Sequence, residues 1–114
     1  GGLATALNEL TAAAGLSVRL DERALPLRPA VVAACEVLGI DPLYVANEGK
    51  LIAVVAPDAA DAALSALRAH PLGADAVLIG TAEDDPEALV LLDTALGGTR
   101  IVDVMVGAPL PRIC

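Results

Sequence analysis

The hydrophobic positions of the first forty residues recur with a helical period, then a strand period, then a helical period again. Over residues 3–14 apolar side chains fall every three or four positions, which predicts an amphipathic helix that ends at Gly15. Apolar and polar residues then alternate over residues 17–21, as they do in a half-buried strand. A second helix is predicted to begin at Pro29 and to end at Gly39.

The second half of the chain is predicted to hold more strand than helix. Two apolar runs, residues 43–46 and 51–56, flank Asn47-Glu48-Gly49-Lys50, which has the spacing and turn chemistry of a β-hairpin. A third helix follows and ends at His70-Pro71. A turn is predicted at Gly97-Gly98, between the last two of the remaining strands. These strands are predicted at about residues 76–81, 89–94 and 100–105.

The order of these elements predicts an α/β (α+β) sandwich, in which helices pack on a mainly antiparallel mixed sheet, related to the ferredoxin-like arrangement. A chain of 114 residues is long enough for one hydrophobic core but too short for two. Gly107, Pro109 and Pro111 interrupt regular structure near the end. We therefore expect a folded domain over residues 1–106 and a flexible tail over residues 107–114.

Composition removes several classes of function. The net charge of −8, with seven scattered basic residues and no aromatic side chain beside them for base stacking, argues against nucleic acid as a partner. No apolar run is long enough to cross a membrane and no signal peptide opens the sequence, so we expect a cytoplasmic protein without membrane contact. Because Tyr44 is the only aromatic residue, the core must be aliphatic.

The sequence does not predict a self-contained active site. It has no P-loop, and His70, the single histidine, is expected to close a helix because Pro71 follows it. Two cysteines and one histidine do not form a zinc motif. The acidic residues 83–87 lack the glycine and the bidentate glutamate of a calcium loop and are expected to be solvated. We expect no metal, and no turnover by this domain alone.

The C-terminal cysteine is the strongest candidate for chemistry. Cys114 ends a segment broken by proline, so its thiol is expected to be exposed on a tether that can carry a group to another site. The alternative is a tail cysteine without a function. Cys35 lies in an apolar helical run and is assigned to the core, and we expect no disulfide between the two.

Two further places carry polar groups in apolar surroundings. Gly1-Gly2 at a helix start would leave backbone N–H groups free for an anion or would let another segment approach closely; an ordinary helix start is the simpler interpretation. At Asn47-Glu48-Gly49, a turn accounts for the asparagine and the glycine but not for Glu48.

Together these segments resemble the HypE family of hydrogenase maturation proteins, within the aminoimidazole-ribonucleotide synthetase (PurM-like) superfamily. The resemblance rests on residues 1–9, 33–44 and 44–51 and, most specifically, on the terminal Pro111-Arg112-Ile113-Cys114. It runs the whole length of the chain but covers only the C-terminal domain of that family. It implies a PurM C-terminal-domain-like fold and an N-terminal ATP-binding domain that has no counterpart in this sequence.

The resemblance also implies an activity, carbamoyl dehydration for the cyanide ligands of nickel–iron hydrogenases. A carbamoyltransferase, HypF, would place a carbamoyl group on Cys114. ATP with Mg²⁺, bound mainly by the domain that is absent here, would drive its dehydration to a thiocyanate. The cyanide would then pass to iron on a HypC–HypD complex. A homodimer of the full-length protein is left open.

The resemblance assigns roles to further residues. Glu48 would accept a proton from the carbamoyl nitrogen or orient it, although an exposed turn acid remains the alternative. Recognition of the tail is assigned to Pro111, Arg112 and Ile113. The residues expected to face the other domain or its ligand are Gly1, Gly2, Asn8 and Asn47. The alternative functions are a docking or regulatory domain that recruits maturation partners, and a small-molecule domain that does not depend on its tail.

Overall fold

The described part of the chain, residues 1–104 in a computed structural model, contains three helices and one four-stranded sheet. The predicted tail, residues 107–114 with Cys114, lies outside the described residues. The helices are α1 (Gly2–Ala14), α2 (Pro29–Leu38) and α3 (Ala60–Arg68). The strands are β1 (Ser17–Asp21), β2 (Gly80–Glu83), β3 (Val90–Asp93) and β4 (Thr99–Ile101).

The sheet is mixed, with the strand order β2-β1-β3-β4. Strand β1 runs antiparallel to β2 and parallel to β3, and β3 runs antiparallel to β4. Gly97 supplies the predicted turn between β3 and β4, where its N–H donates to the Thr94 carbonyl at 3.0 Å. The predicted fold class, an α/β arrangement of helices on a mainly antiparallel mixed sheet, is confirmed.

The core lies between α1 and one face of the sheet. Leu7 of α1 is 2% exposed and faces Leu20 of β1 and Leu92 of β3, which are equally inaccessible. Burial of one such side chain stabilises a fold by about 1.5–3 kcal/mol. The helix ends as predicted, because Gly15 takes the left-handed conformation and its N–H donates to the Thr11 carbonyl at 2.9 Å. The remaining members of the core are Ala4, Val18, Leu43, Val90 and Val102.

Side chains on the other side of the pleat link the strands. Arg19 of β1 reaches Asp93 of β3 at 2.7 Å and Glu83 of β2 at 3.2 Å. Its hydrogen bond and attraction to Asp93, with a smaller contribution from Glu83, raise the pKa of the Arg19 guanidinium. Asp85, in the acidic segment expected to be solvated, accepts a hydrogen bond from the buried Ser17 hydroxyl at 3.1 Å. That segment therefore closes one end of the sheet.

The predicted hairpin over residues 43–56 is wrong. Pro42–Tyr44 form a 3₁₀ turn, in which the Tyr44 and Val45 amides donate to the carbonyls of Asp41 and Pro42. The Asp41 carboxylate accepts from the Leu43 amide at 3.0 Å. Because these amides are already bonded, they cannot form a ladder with residues 51–56, which belong to no strand of the described part.

Exposed apolar residues concentrate in α2 and the segment after the 3₁₀ turn. In α2 only Cys35 is buried, as predicted, whereas Val37 is 86% exposed and Leu38 66%. Leu51 is 73% exposed, and the rest of residues 51–56 are exposed as well. Because these side chains do not enter the core, the stability of the described fold depends mainly on α1 and the sheet.

Leu20 and Leu96 provide a matched test of that packing. Leu20→Ala should lower the free energy of unfolding by about 2–5 kcal/mol, because it empties a buried site between α1 and the sheet. Leu96, which is fully exposed in the β3–β4 turn, should tolerate the same change within about 0.5 kcal/mol. Urea unfolding followed by circular dichroism measures both. Equal losses in the two variants would contradict the described core.

Candidate functional site

The start of α1 lies against the backbone of the 3₁₀ turn. Gly2 has a φ of 70°, and a Cβ placed on it would lie 2.6 Å from the Val45 carbonyl oxygen and 2.7 Å from that of Leu43. A Cβ on Gly1 would lie 3.1 Å from the Cβ of Ala46. Of the alternatives open for the paired glycines, the structure thus shows close approach of another segment.

The turn is held in place from two sides. One carboxylate oxygen of Asp41 accepts from the Leu43 amide at 3.0 Å, and the other binds the Arg100 guanidinium at 2.7 Å. Arg100 belongs to β4, so this ion pair links the turn to the sheet edge. Leu43 itself is 4% exposed and packs in the core. The turn is therefore fixed to both α1 and β4.

The chain leaves β4 through the same corner. The side-chain amide of Asn8 on α1 donates to the carbonyls of Ala4 at 2.8 Å and Val102 at 2.9 Å. The Tyr44 hydroxyl donates to the Asp103 carbonyl at 2.6 Å. These two side chains hold the backbone shortly before the predicted tail. The Asn8 amide nitrogen is thus bonded within the domain, and its predicted role toward a ligand or another domain stays a prediction.

Burial raises the pKa of Tyr44, and the negative charges of Asp41 and Asp103 raise it further. The positive charge of Arg100 acts in the opposite direction. With its pKa above the ordinary 10.0, the phenol is protonated at neutral pH. Its hydroxyl can therefore donate a hydrogen bond to the backbone after β4, at the Asp103 carbonyl.

Asn47 and Glu48 follow the turn directly and are exposed. The Asn47 side-chain amide is 3.5 Å from the Val45 carbonyl, and Gly49 has the positive φ of 77° expected of a turn glycine. No residue of the described part donates a hydrogen bond to the Glu48 carboxylate. The structure therefore brings Gly1, Gly2, Asn8 and Asn47 to one corner, whereas the assigned role of Glu48 stays a prediction.

Two backbone carbonyl oxygens, those of Leu43 and Val45, lie beside Gly2 at the start of α1. Among residues 1–104 no buried side-chain polar atom lacks a hydrogen-bond partner, and no group of three His, Cys, Asp or Glu residues could hold a metal ion. None of the helices described is long and apolar enough to span a bilayer.

The sequence analysis assigned no role in the site to Asp41, Tyr44 or Arg100. One local signal was available: an aspartate directly before Pro42 is typical of a capped turn. The pairing of Asp41 with Arg100, 59 residues away, has no local signal.

Residues 1–92 match the family described as AIR synthase related protein, C-terminal domain. Since the match covers most of the chain, the chain belongs to this family. Among its members the chain is similar to the HypE hydrogenase maturation proteins, so the predicted resemblance to the C-terminal domain of HypE is confirmed.

The sequence relatives extend over the entire chain. It is 56% identical over 114 residues to the carbamoyl dehydratase HypE of Rhizobium leguminosarum bv. viciae, covering 100% of this chain and 33% of that protein. The corresponding protein of Escherichia coli K12 is 46% identical over the same length, with the same coverage. The chain thus spans about a third of the length of these relatives.

Solved structures agree with this assignment. A crystal structure of the hydrogenase maturation protein HypE matches 100% of this chain, and 37% of its own, with a TM-score of 0.91 and 42% identity. A HypE structure in complex with ATP covers 96% of this chain and 34% of its own with a TM-score of 0.87 and 41% identity. A HypE–HypF complex covers 90% of this chain and 33% of its own with a TM-score of 0.84 and 42% identity.

Gly2 and Gly15 test the close approach at the start of α1. Both have positive φ, but a Cβ on Gly15 would meet nothing within 4 Å. Gly15→Ala should therefore cost about 1 kcal/mol of unfolding free energy from backbone strain alone. Gly2→Ala should cost about 2 kcal/mol more, because its methyl group would overlap two carbonyl oxygens. Chemical unfolding measures both, and equal costs would contradict the packing described.

Tyr44, the only aromatic residue of the chain, allows a direct titration of its phenol. The midpoint of the tyrosinate absorbance should lie above pH 10 in the folded chain and should fall to about 10 in urea. Because the folded pKa is raised, the linked stability is fully present below the unfolded pKa and is lost as pH rises through the folded pKa. Identical midpoints in the folded and unfolded chain would contradict the burial of this side chain.

Proposed function

We propose that the chain is the C-terminal domain of an ATP-dependent carbamoyl dehydratase of hydrogenase maturation, in which the Cys114 thiol carries the substrate. One observation carries the proposal: the opening glycines, the segment before Glu48 and the backbone that leads to the tail meet at one corner. Asn8 and Tyr44 fix the backbone at Val102 and Asp103. Similarity to HypE proteins along the whole of this chain, which spans 33% of the length of the Rhizobium leguminosarum protein, supports the activity.

The tether has a length suited to carrying a group. Cys114 is the tenth residue after Val104, and ten residues span at most about 33–36 Å. A thiol within that radius can exchange between the Asn47-Glu48 turn, a bound transferase and an acceptor of the product. Attachment to the same chain also raises the effective concentration of the carried group at each place.

In the proposed reaction, the carbamoyl group is formed and dehydrated on the Cys114 thiol. The Cys114 thiolate attacks the carbonyl carbon of a carbamoyl donor, which forms an S–C bond and expels the donor's leaving group. ATP, held by parts of the protein other than the corner described here, gives a phosphoryl group to the carbamoyl oxygen, which departs as phosphate while ADP is released. The nitrogen loses two protons as the carbon–nitrogen triple bond forms, and the Glu48 carboxylate is proposed to accept one of them. The product is a thiocyanate on Cys114.

The partners follow from this sequence of steps. HypF is the proposed carbamoyl donor, and a solved HypE–HypF complex supports the pairing. Pro111, Arg112 and Ile113 are proposed to present the thiol to it. A HypC–HypD complex is the proposed acceptor of the cyanide, and association of two full-length copies is proposed as well.

The exposed apolar residues favour a second candidate function, a docking domain that recruits maturation partners. Val37 and Leu38 of α2, together with Leu51, leave the core and face outward, and exposed apolar patches mark protein interaction sites. On this proposal, a protein truncated after Val104 but otherwise complete would still bind HypF in a pull-down assay. Under the first proposal the same truncation removes all cyanide formation.

Separate substitution of Cys114 and Cys35 tests which of the two thiols carries the substrate. The full-length protein is incubated with HypF, carbamoyl phosphate and ATP, and its C-terminal peptide is analysed by mass spectrometry. Wild type and Cys35→Ala should gain a carbamoyl group at Cys114 and then lose water, whereas Cys114→Ser should show neither change. Cys35→Ala is the matched control because this thiol is buried. An unmodified Cys114, with the transferase shown active, would contradict the proposal.

A further inference from the structure

We propose that Tyr44 is a positioning residue that anchors the origin of the substrate-carrying tail, an inference that rests on the proposed function. Tyr44 touches no reacting group in this scheme. Its hydroxyl instead binds the carbonyl of Asp103, and so fixes the backbone that leads to the tail.

The anchoring extends beyond the sheet. Strand β4 ends at Ile101, and Val102 then donates its N–H to the Val90 carbonyl at 2.8 Å and accepts from Asn8 at 2.9 Å. Val102 is fully buried. One residue further, the Asp103 carbonyl accepts from the Tyr44 hydroxyl at 2.6 Å, and the Asp103 carboxylate accepts from the neighbouring Val104 amide at 2.7 Å. Among the described residues, the Tyr44 bond is therefore the last that ties this part of the backbone to a distant element of the domain.

Tyr44 can hold the Asp103 carbonyl in position because its ring and its backbone are themselves fixed. The ring packs against the core cluster, and its backbone amide donates to Asp41 within the 3₁₀ turn. The Asp103 carbonyl, by contrast, is at the surface, where water could satisfy it equally well. The bond is thus not needed to satisfy a buried polar group, and its main consequence is the placement of the chain.

The position from which the tail leaves the domain matters more for dehydration than for carbamoylation of Cys114. Loading of Cys114 by a separate transferase needs only an accessible thiol, whereas dehydration needs the loaded thiol to return to its own protein in the correct geometry. Loss of one hydrogen bond should reduce the anchored population about fivefold. Dehydration should slow by about that factor, and carbamoylation should change less than about twofold.

The test compares Tyr44→Phe with Asp103→Asn in the full-length protein. Tyr44→Phe keeps the ring in the core and removes only the hydroxyl. Asp103→Asn is the matched control, because Tyr44 binds the main chain of Asp103 and an asparagine Oδ1 can still accept from the Val104 amide, as the Asp103 carboxylate does at 2.7 Å. Single-turnover mass spectrometry of the C-terminal peptide gives the carbamoylation and dehydration rates separately. Hydrogen exchange of peptides that cover Val102–Val104 reports on anchoring without reference to the chemistry.

The expected result is slower dehydration, nearly unchanged carbamoylation and faster exchange at Val102–Val104 in Tyr44→Phe, with wild-type values in Asp103→Asn. Equal slowing of both steps together with a lower melting temperature would show a merely structural role and overturn the proposal. Wild-type dehydration in Tyr44→Phe would overturn it as well, with the proposed function intact. An unmodified Cys114 in the wild type would overturn the proposed function, and this positioning role with it.

Discussion

The contact on which the site depends is backbone against backbone, at the start of α1. The carbonyl oxygens of Leu43 and Val45 come so close to Gly2 that no side chain fits between them. This approach seats the 3₁₀ turn on the helix, so Leu43 enters the core and the Tyr44 hydroxyl reaches the end of the sheet. A residue with a Cβ at position 2 would push the turn outward and shift all of these groups together.

In the proposed function, the same corner would control a tethered group without enclosing it. Asn8 and Tyr44 hold two successive carbonyls at the point where the chain leaves the sheet. Each bond is individually modest, about 1 kcal/mol, but together they fix the backbone at Val102 and Asp103. A carrier that must reach several partners gains from a long tether, and it needs a fixed origin if one of those partners is its own protein.

The surface away from this corner has a different character. Helix α2 buries only Cys35, and residues 51–56 are exposed although all six are apolar. A free-standing monomer rarely shows contiguous apolar patches of large size. The chain spans about a third of the length of its HypE relatives, so much of the polypeptide that accompanies this domain in those proteins lies outside it. The apolar surface is in keeping with a domain that works as part of a larger protein.

The sequence by itself determined the elements whose signals are local. The leucine spacing of α1, its end at Gly15 and the alternation in β1 depend on neighbours a few residues apart, and they were predicted correctly. Residues 43–56 were mistaken for a hairpin because apolar runs around a turn signal fit several folds, and the amide bonds to Asp41 and Pro42 decided between them. Only the tertiary structure could join Asn8 to Val102, which are 94 residues apart. Such a contact depends on how helix and sheet pack in three dimensions, and periodicity along the chain carries no record of that packing.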